Sequence, residues 1–134
     1  MHEVEVSGFV QATPTEVERA LSPARIVEYE GSFQVEDVTE TGSGWLVTVS
    51  GGGLEFTVRF EPREDGYHYD QEGGPLETME TTLTYEPEDE GTRVRLRSRV
   101  SMGSPPAAIT DRFAGWKRRG ELRRALSNLA ADVE

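Results

Sequence analysis

ETMETTLTYEPEDEGTRVRLRSRVSM, residues 77–102, contains two alternating runs around a short acidic turn, EDEG at 88–91. Alternation with period two marks a half-buried strand. Two such runs joined by a few turn-forming residues that include glycine read as a hairpin. Closing the loop with Pro87 opposite Thr92 pairs Tyr85 with Val94, Leu83 with Leu96, Thr81 with Ser98 and Met79 with Val100. The other face then pairs Glu86 with Arg93, Thr84 with Arg95, Thr82 with Arg97 and Glu80 with Arg99. Apolar meets apolar and acid meets arginine, as cross-strand neighbours favour. A slip of two residues would keep the faces and change the partners.

This register sends the comb Arg93, Arg95, Arg97 and Arg99 outward, toward solvent. Glu80 and Glu86 are its nearest acids, and the adjacent strand offers His68 and Asp70. An exposed ion-pair ladder of this kind contributes only about 0–1 kcal/mol per pair. The alternative use is an anionic docking surface, for a partner protein or for a second copy in a homodimer.

The hairpin sits inside a longer pattern. From Ser32 to Met102 the breaks TGSG (41–44), GGG (51–53), PREDG (62–66), GGP (73–75) and EDEG (88–91) cut the chain into six strands joined by tight turns, a meander. Phe33 and Val35 alternate but Val38 falls out of phase, which predicts a bulge near Glu36–Asp37 and a curved sheet. Ahead of the meander lies a strand at Val4–Val10. Next comes ATPTEVERALSP, where Thr13 caps, Pro14 takes the first helical position and Glu16 completes a capping box. Ser22-Pro23 ends that helix and starts a second short one. Behind the meander, SPP (104–106) reads as a cap with proline at the first helical position, and strong helix formers follow to the end. Trp116, Leu122, Leu126, Leu129 and Val133 are assigned to its core-facing stripe, with Ile109 and Phe113 at the edge or beyond.

Composition narrows the function classes. The 134 residues fit one domain, 1–134, and the formal net charge is −11. Of 14 basic residues only Lys117 is a lysine, against 25 acids. Acid-rich, lysine-poor composition resembles that of proteins from salt-loving organisms. Self-repulsion at low ionic strength is screened by salt, so the melting temperature is expected to rise between about 0.1 M and about 2 M KCl. A flat or falling trend would refute the halophilic reading. Acidity argues against nucleic acid, which needs local positive charge. Residues 1–104 carry 8 basic and 21 acidic side chains, net −13, and residues 105–134 carry 6 and 4, net +2, so the C-terminal segment suits an acidic body. No apolar run is long enough to span a membrane, and MHEVEV does not read as a secretory signal. Cysteine is absent, which removes thiolate chemistry and cysteine metal sites. A cytoplasmic protein is the expectation.

The element order resembles the helix-grip fold of the START-like (SRPBCC) superfamily, in particular its small polyketide cyclase/dehydrase and lipid-transport-like members. VSGFVQATPTEVERALSP at the front and the meander leading into WKRRGELRRALSNLAADVE at the back carry the likeness. It implies an α+β fold: a curved seven-stranded antiparallel sheet, two short helices after strand 1, and a long C-terminal helix packed across the concave face. It also implies a cavity between sheet and helix for a small hydrophobic ligand or lipid. Plant members carry a longer glycine-rich loop with a lysine; GSG and GGG here are short and have none.

The inward face of the hairpin isolates Thr81 and Ser98 opposite each other, among Met79, Leu83, Leu96 and Val100. Tyr67, Tyr69, Phe56, Val58 and Phe60 extend this face. A few polar groups in an apolar surface match the usual composition of a small-ligand site; a filled core with Thr81 bonded to Ser98 is the alternative. Phe113 and Trp116 are candidates for the opposing wall, with core packing the other role for Trp116. The expected ligand contacts are thus Phe56, Val58, Tyr67, Tyr69, Met79, Thr81, Leu83, Ser98, Phe113 and Trp116. Arg119 and Arg123 flank the stripe, for a ligand's acidic group or for sheet carboxylates. Catalytic equipment is thin. His2 is near the terminus, His68 faces outward, and no serine has a histidine partner. His68-x-Asp70 lacks a third metal ligand, no phosphate loop opens a helix, and neither metal nor cofactor is expected. Asp37, beside the bulge, is weighed as an acid or base and as a solvent-facing turn residue. Three readings follow: a hydrophobic-ligand binder, a cyclase/dehydratase-type enzyme in the same cavity, and a protein-interaction module.

Overall fold

The computed structural model describes residues 1–103 and 106–134, with Ala107 as backbone only. Its elements are β1 (His2–Val10), α1 (Pro14–Ala20), α2 (Pro23–Glu30), β2 (Gln34–Glu40), β3 (Trp45–Gly51), β4 (Leu54–Arg63), β5 (Gly66–Glu72), β6 (Thr78–Glu88), β7 (Gly91–Ser101) and α3 (Ala107–Val133). The strands form one antiparallel sheet in the order β1-β7-β6-β5-β4-β3-β2. The meander runs straight across it, and β1 returns to the outer edge of β7.

The β6–β7 register matches the sequence reading pair for pair, from Met79↔Val100 through Thr81↔Ser98 to Pro87↔Thr92. The arginine comb lies on the outer face, but part of its neutralisation comes from β1. Arg97 faces Glu5 at 3.7 Å, and Arg99 faces Glu3 at 3.7 Å and Glu80 at 3.9 Å. Arg95 faces Glu86 at 3.6 Å, and Arg93 grips Glu88 instead, at 2.6 Å. Asp70 pairs with Arg59 and His68 with Thr82, so neither serves the comb. The partners on β1 were not assigned from the hairpin alone because the register of β1 on β7 joins distant parts of the chain, such as Glu3 with Arg99.

Local signals set the remaining elements. Thr13 and Glu16 close the capping box of α1, and the Ser22 side chain caps α2 with Pro23 in its first turn. Gly31 ends α2 in the left-handed region, φ 78°, which favours glycine, and its N–H closes on the Val27 carbonyl. That stop fixes Glu30 as the last residue of α2, facing α3. The ladder between β2 and β3 slips between Val35 and Asp37, where the bulge is expected. Asp37 itself is solvent-exposed and accepts from Thr39. Gly66 opens β5 at φ 154°, and a Cβ there would land on the Leu83 carbonyl of β6. Ser104 and Pro105 of the expected cap lie outside the described residues; Pro106 is the N-cap of α3, with extended backbone and no side-chain cap, and the helix begins one residue later, at Ala107.

Helix α3 packs on β1, β7, α1 and α2. Its buried face is Asp111, Ala114, Gly115, Arg118, Leu122, Ala125 and Leu129. Trp116 does not belong to that face; it is 73 % exposed. At 3.6 residues per turn, six residues from Leu122 is roughly 120° round the helix. Four residues is only about 40°, which places Arg118 inside the stripe instead.

Candidate ligand-binding site

Because α3 lies over the β1–β7 side, the strands β3, β4 and β5 face it across a gap. The gap is a cavity of about 170 Å³. Val49 of β3, Phe56 and Val58 of β4 and Tyr69 of β5 form its sheet wall. Val27 of α2, Phe33, Met79 and Met102 add apolar surface, and the β5–β6 connection adds Pro75 and Leu76. Phe113, Ala114, Lys117, Arg118 and Glu121 come from α3. Phe113 and Lys117 are exposed and mark the mouth. The cavity is largely apolar, with one charged wall.

Arg118 builds that wall. It is 3 % exposed, and its guanidinium has five N–H donors in a fixed fork. Nη1 donates to Glu30 Oε1 at 2.7 Å and to Glu121 Oε1 at 3.0 Å. Nη2 donates to Glu30 Oε2 at 3.0 Å and to Thr81 Oγ1 at 2.9 Å, and Nε to Ser98 Oγ at 3.2 Å. All five are in use. The Tyr69 hydroxyl donates to Glu30 Oε2 at 2.5 Å, and the Ser32 hydroxyl to Glu121. Arg118 also lies over the Tyr69 ring, 5.9 Å from its centre. Burial works against the arginine's charge, but the facing Glu30 carboxylate, Tyr69 and Glu121 outweigh it and hold its pKa above the ordinary value. Burial first, and then the Glu30 charge, push the Tyr69 phenol well above its ordinary range, so it stays a donor.

The expected contacts therefore separate. Phe56, Val58, Tyr69, Met79 and Phe113 line the cavity. Thr81 and Ser98 do not: they bond each other at 2.8 Å, and the guanidinium of Arg118 caps both. Ser98 reaches the Glu80 carbonyl as well. Leu83 is buried between the sheet and α3, beside Leu96 and Leu129, away from this cavity. Tyr67 packs against Trp45 and Phe60. Trp116 points to solvent and touches only the rim, its ring 5.9 Å from that of Phe113. Arg119 and Arg123 are exposed. Sequence reasoning missed Arg118, Glu30 and Glu121, which α3 and the end of α2 bring together. The signal was present: Ala114, Arg118, Leu122, Ala125 and Leu129 keep a helical spacing of four, four, three and four. An arginine at a core position is discounted by default, because arginine is almost never fully buried unless paired.

A long helix held against an open antiparallel sheet, with an apolar cavity between them, defines a START-like helix-grip protein. A sequence profile described as "Polyketide cyclase / dehydrase and lipid transport" matches residues 1–134, and the chain belongs to that family. Among solved structures it is similar to a protein from Thermus thermophilus, at 18 % identity and TM-score 0.74, covering 97 % of this chain and 95 % of that one. It is similar to a START superfamily protein from Mycobacterium smegmatis, at 14 % identity and TM-score 0.71, covering 98 % and 99 %. It also matches the di-domain ARO/CYC protein BexL of the BE-7585A biosynthetic pathway, at 25 % identity and TM-score 0.68, over 93 % of this chain and 45 % of that one. No curated protein gives a significant match. Among the described residues, no helix is long and apolar enough to cross a membrane, and no three acidic or histidine side chains are grouped to hold a metal.

Proposed function

We propose that residues 1–134 act as a single domain that binds, and in a carrier role delivers, a small hydrophobic molecule or lipid in the cavity between the sheet and α3. The observation that carries this is the cavity itself: about 170 Å³ of space, walled by Val49, Phe56, Val58 and Met79, where a packed protein interior would leave few voids larger than a water molecule. A well-formed apolar pocket with a few convergent polar groups is the usual form of a small-molecule site. Burial of the ligand's apolar surface supplies the affinity, and the charged wall orients it. Nucleic acid is a poor partner for a chain of formal net charge −11, and the reading places the protein in the cytoplasm.

Phenylnaphthylamine, a neutral apolar dye, tests the proposal. Its fluorescence is expected to rise saturably with one dye bound per chain, and Trp116 emission, at the rim, is expected to change in parallel. A linear, unsaturable response would overturn the cavity as a binding site.

A cyclase/dehydratase-type enzyme in the same cavity is the second reading, favoured by the hydrogen-bonded Tyr69–Glu30 pair on its wall. That carboxylate is already gripped by Arg118 on both oxygens. The pair is accordingly better suited to holding a wall in place than to shuttling a proton, and binding remains the leading reading.

A further inference from the structure

We infer that the cavity selects molecules carrying a hydrogen-bond donor, such as a hydroxyl or phenol, and discriminates against carboxylates. This rests on the binding reading above and specifies its ligand class. A buried arginine beside an apolar cavity invites the opposite idea, an anion receptor. The hydrogen bonds exclude it. Every N–H of Arg118 is taken by Glu30, Glu121, Thr81 or Ser98. An incoming carboxylate would have to displace one of the two glutamates from a buried cation, at a cost that its own bonds would only replace.

Acceptors, by contrast, remain. An ionised carboxylate offers about four lone-pair sites. Glu30 accepts from Arg118 twice and from Tyr69 once. Glu121 accepts from Arg118 and from Ser32. The Tyr69 and Ser32 hydrogens are spent on these same carboxylates. The charged wall therefore presents spare acceptor capacity and no spare donor of its own; beyond it the Gln71 amide also lines the cavity, giving one N–H to the Leu76 carbonyl and keeping a second, neutral one. Its charges add in the same sense: within the lining one buried guanidinium stands against two carboxylates, and Arg124, exposed and outside the lining, bonds the Glu30 backbone carbonyl and Ser32. Lys117 is the other cation in the lining, and it is exposed at the mouth. An anion meeting it stays in water, where the pair gains little.

Three naphthalenes of nearly equal size, substituted at the same carbon, test this by displacing phenylnaphthylamine at neutral pH. Naphthol carries a donor, methoxynaphthalene carries none, and naphthoate is an anion. Naphthol is expected to displace the dye at concentrations about tenfold or more below methoxynaphthalene, the gain of a hydrogen bond to a charged acceptor. Naphthoate is expected to be no better than methoxynaphthalene. In Glu121→Gln, which removes one of the two carboxylate charges and keeps the side chain's shape, the ratio of naphthoate to naphthol affinity is expected to rise several-fold. Naphthoate binding as tightly as naphthol in the unaltered protein would overturn the inference and make Arg118 the anion receptor, whether or not the variant folds. Equal binding of naphthol and methoxynaphthalene would overturn it too. If the dye itself does not bind, the cavity reading falls and this inference falls with it; if the dye binds and the order is reversed, only the selectivity falls.

Discussion

Arg118→Met is expected to lower the melting temperature by about 10–20 °C, the equivalent of about 3–5 kcal/mol in a chain of this size. The substitution keeps an unbranched side chain out to about the position of Nε and removes the rest of the guanidinium, and with it the charge and the donors. Four groups then lose their partner at once: the Glu30 and Glu121 carboxylates and the hydroxyls of Thr81 and Ser98. The hydroxyls retain each other at 2.8 Å. The carboxylates lose their counter-ion, and leaving a charge buried and unpaired is what makes breaking such a pair expensive. The attribution is checked with a second change. Arg118→Met combined with Glu30→Gln neutralises one orphaned carboxylate and still leaves an acceptor for Tyr69. It is expected to be more stable than Arg118→Met alone, although it carries one more substitution. Calorimetry or denaturant unfolding of the two proteins decides it. A loss below about 1 kcal/mol for the single variant, the scale of an exposed pair, would mean that the guanidinium is not the buried keystone of this wall.

That wall also marks how far the sequence could be read. The faces of the hairpin 77–102 were legible from period two, and the register that pairs acid with arginine and apolar with apolar is the one that forms, although a slip of two residues would have kept the same faces. The caps of α1 and α2, the bulge and the turns were legible because each is decided by residues close together in the chain. Resemblance supplied the arrangement of helix over sheet. The cavity's occupants were only partly legible. Inward parity correctly put Phe56, Val58, Tyr69 and Met79 on the cavity side, but it also put Thr81 and Ser98 there, and parity says nothing of a third element lying over them. Arg118 lies over them, 20 residues from Ser98 and 88 from Glu30. Its partners come from a strand pair, a helix end and its own helix, so no local pattern shows the cluster. Trp116 misled for a simpler reason: its size outweighed its angle. A large aromatic drew the stripe toward itself, although Ala114, Arg118 and Leu122 trace the buried line.

Filling the cavity and hollowing the core next to it are expected to affect different properties, binding in the first case and stability in the second. Ala114 is buried on α3 with its methyl against the cavity. Ala114→Phe sends a ring into the existing space. Overpacking a closed core costs about 1–3 kcal/mol, but here part of the ring's volume is already free, so a stability change below about 1.5 kcal/mol is expected. Dye binding is expected to weaken at least about thirtyfold, because losing roughly 80 Å² of buried apolar ligand surface removes about 2 kcal/mol. Leu122 lies two turns further along the same face, fully buried and outside the cavity lining. Leu122→Ala leaves a new void and is expected to cost about 2–5 kcal/mol of stability, while dye affinity stays within about threefold. Titrating both variants with phenylnaphthylamine and melting both proteins gives four numbers. If Ala114→Phe destabilised as strongly as Leu122→Ala and left dye binding intact, the space beneath α3 would be packed interior, and the dye would sit elsewhere. The crossed result, binding lost in one variant and stability lost in the other, assigns the space to a ligand and the residues beyond it to the fold. The two roles then divide along a single helix face between Arg118 and Leu122, one turn apart.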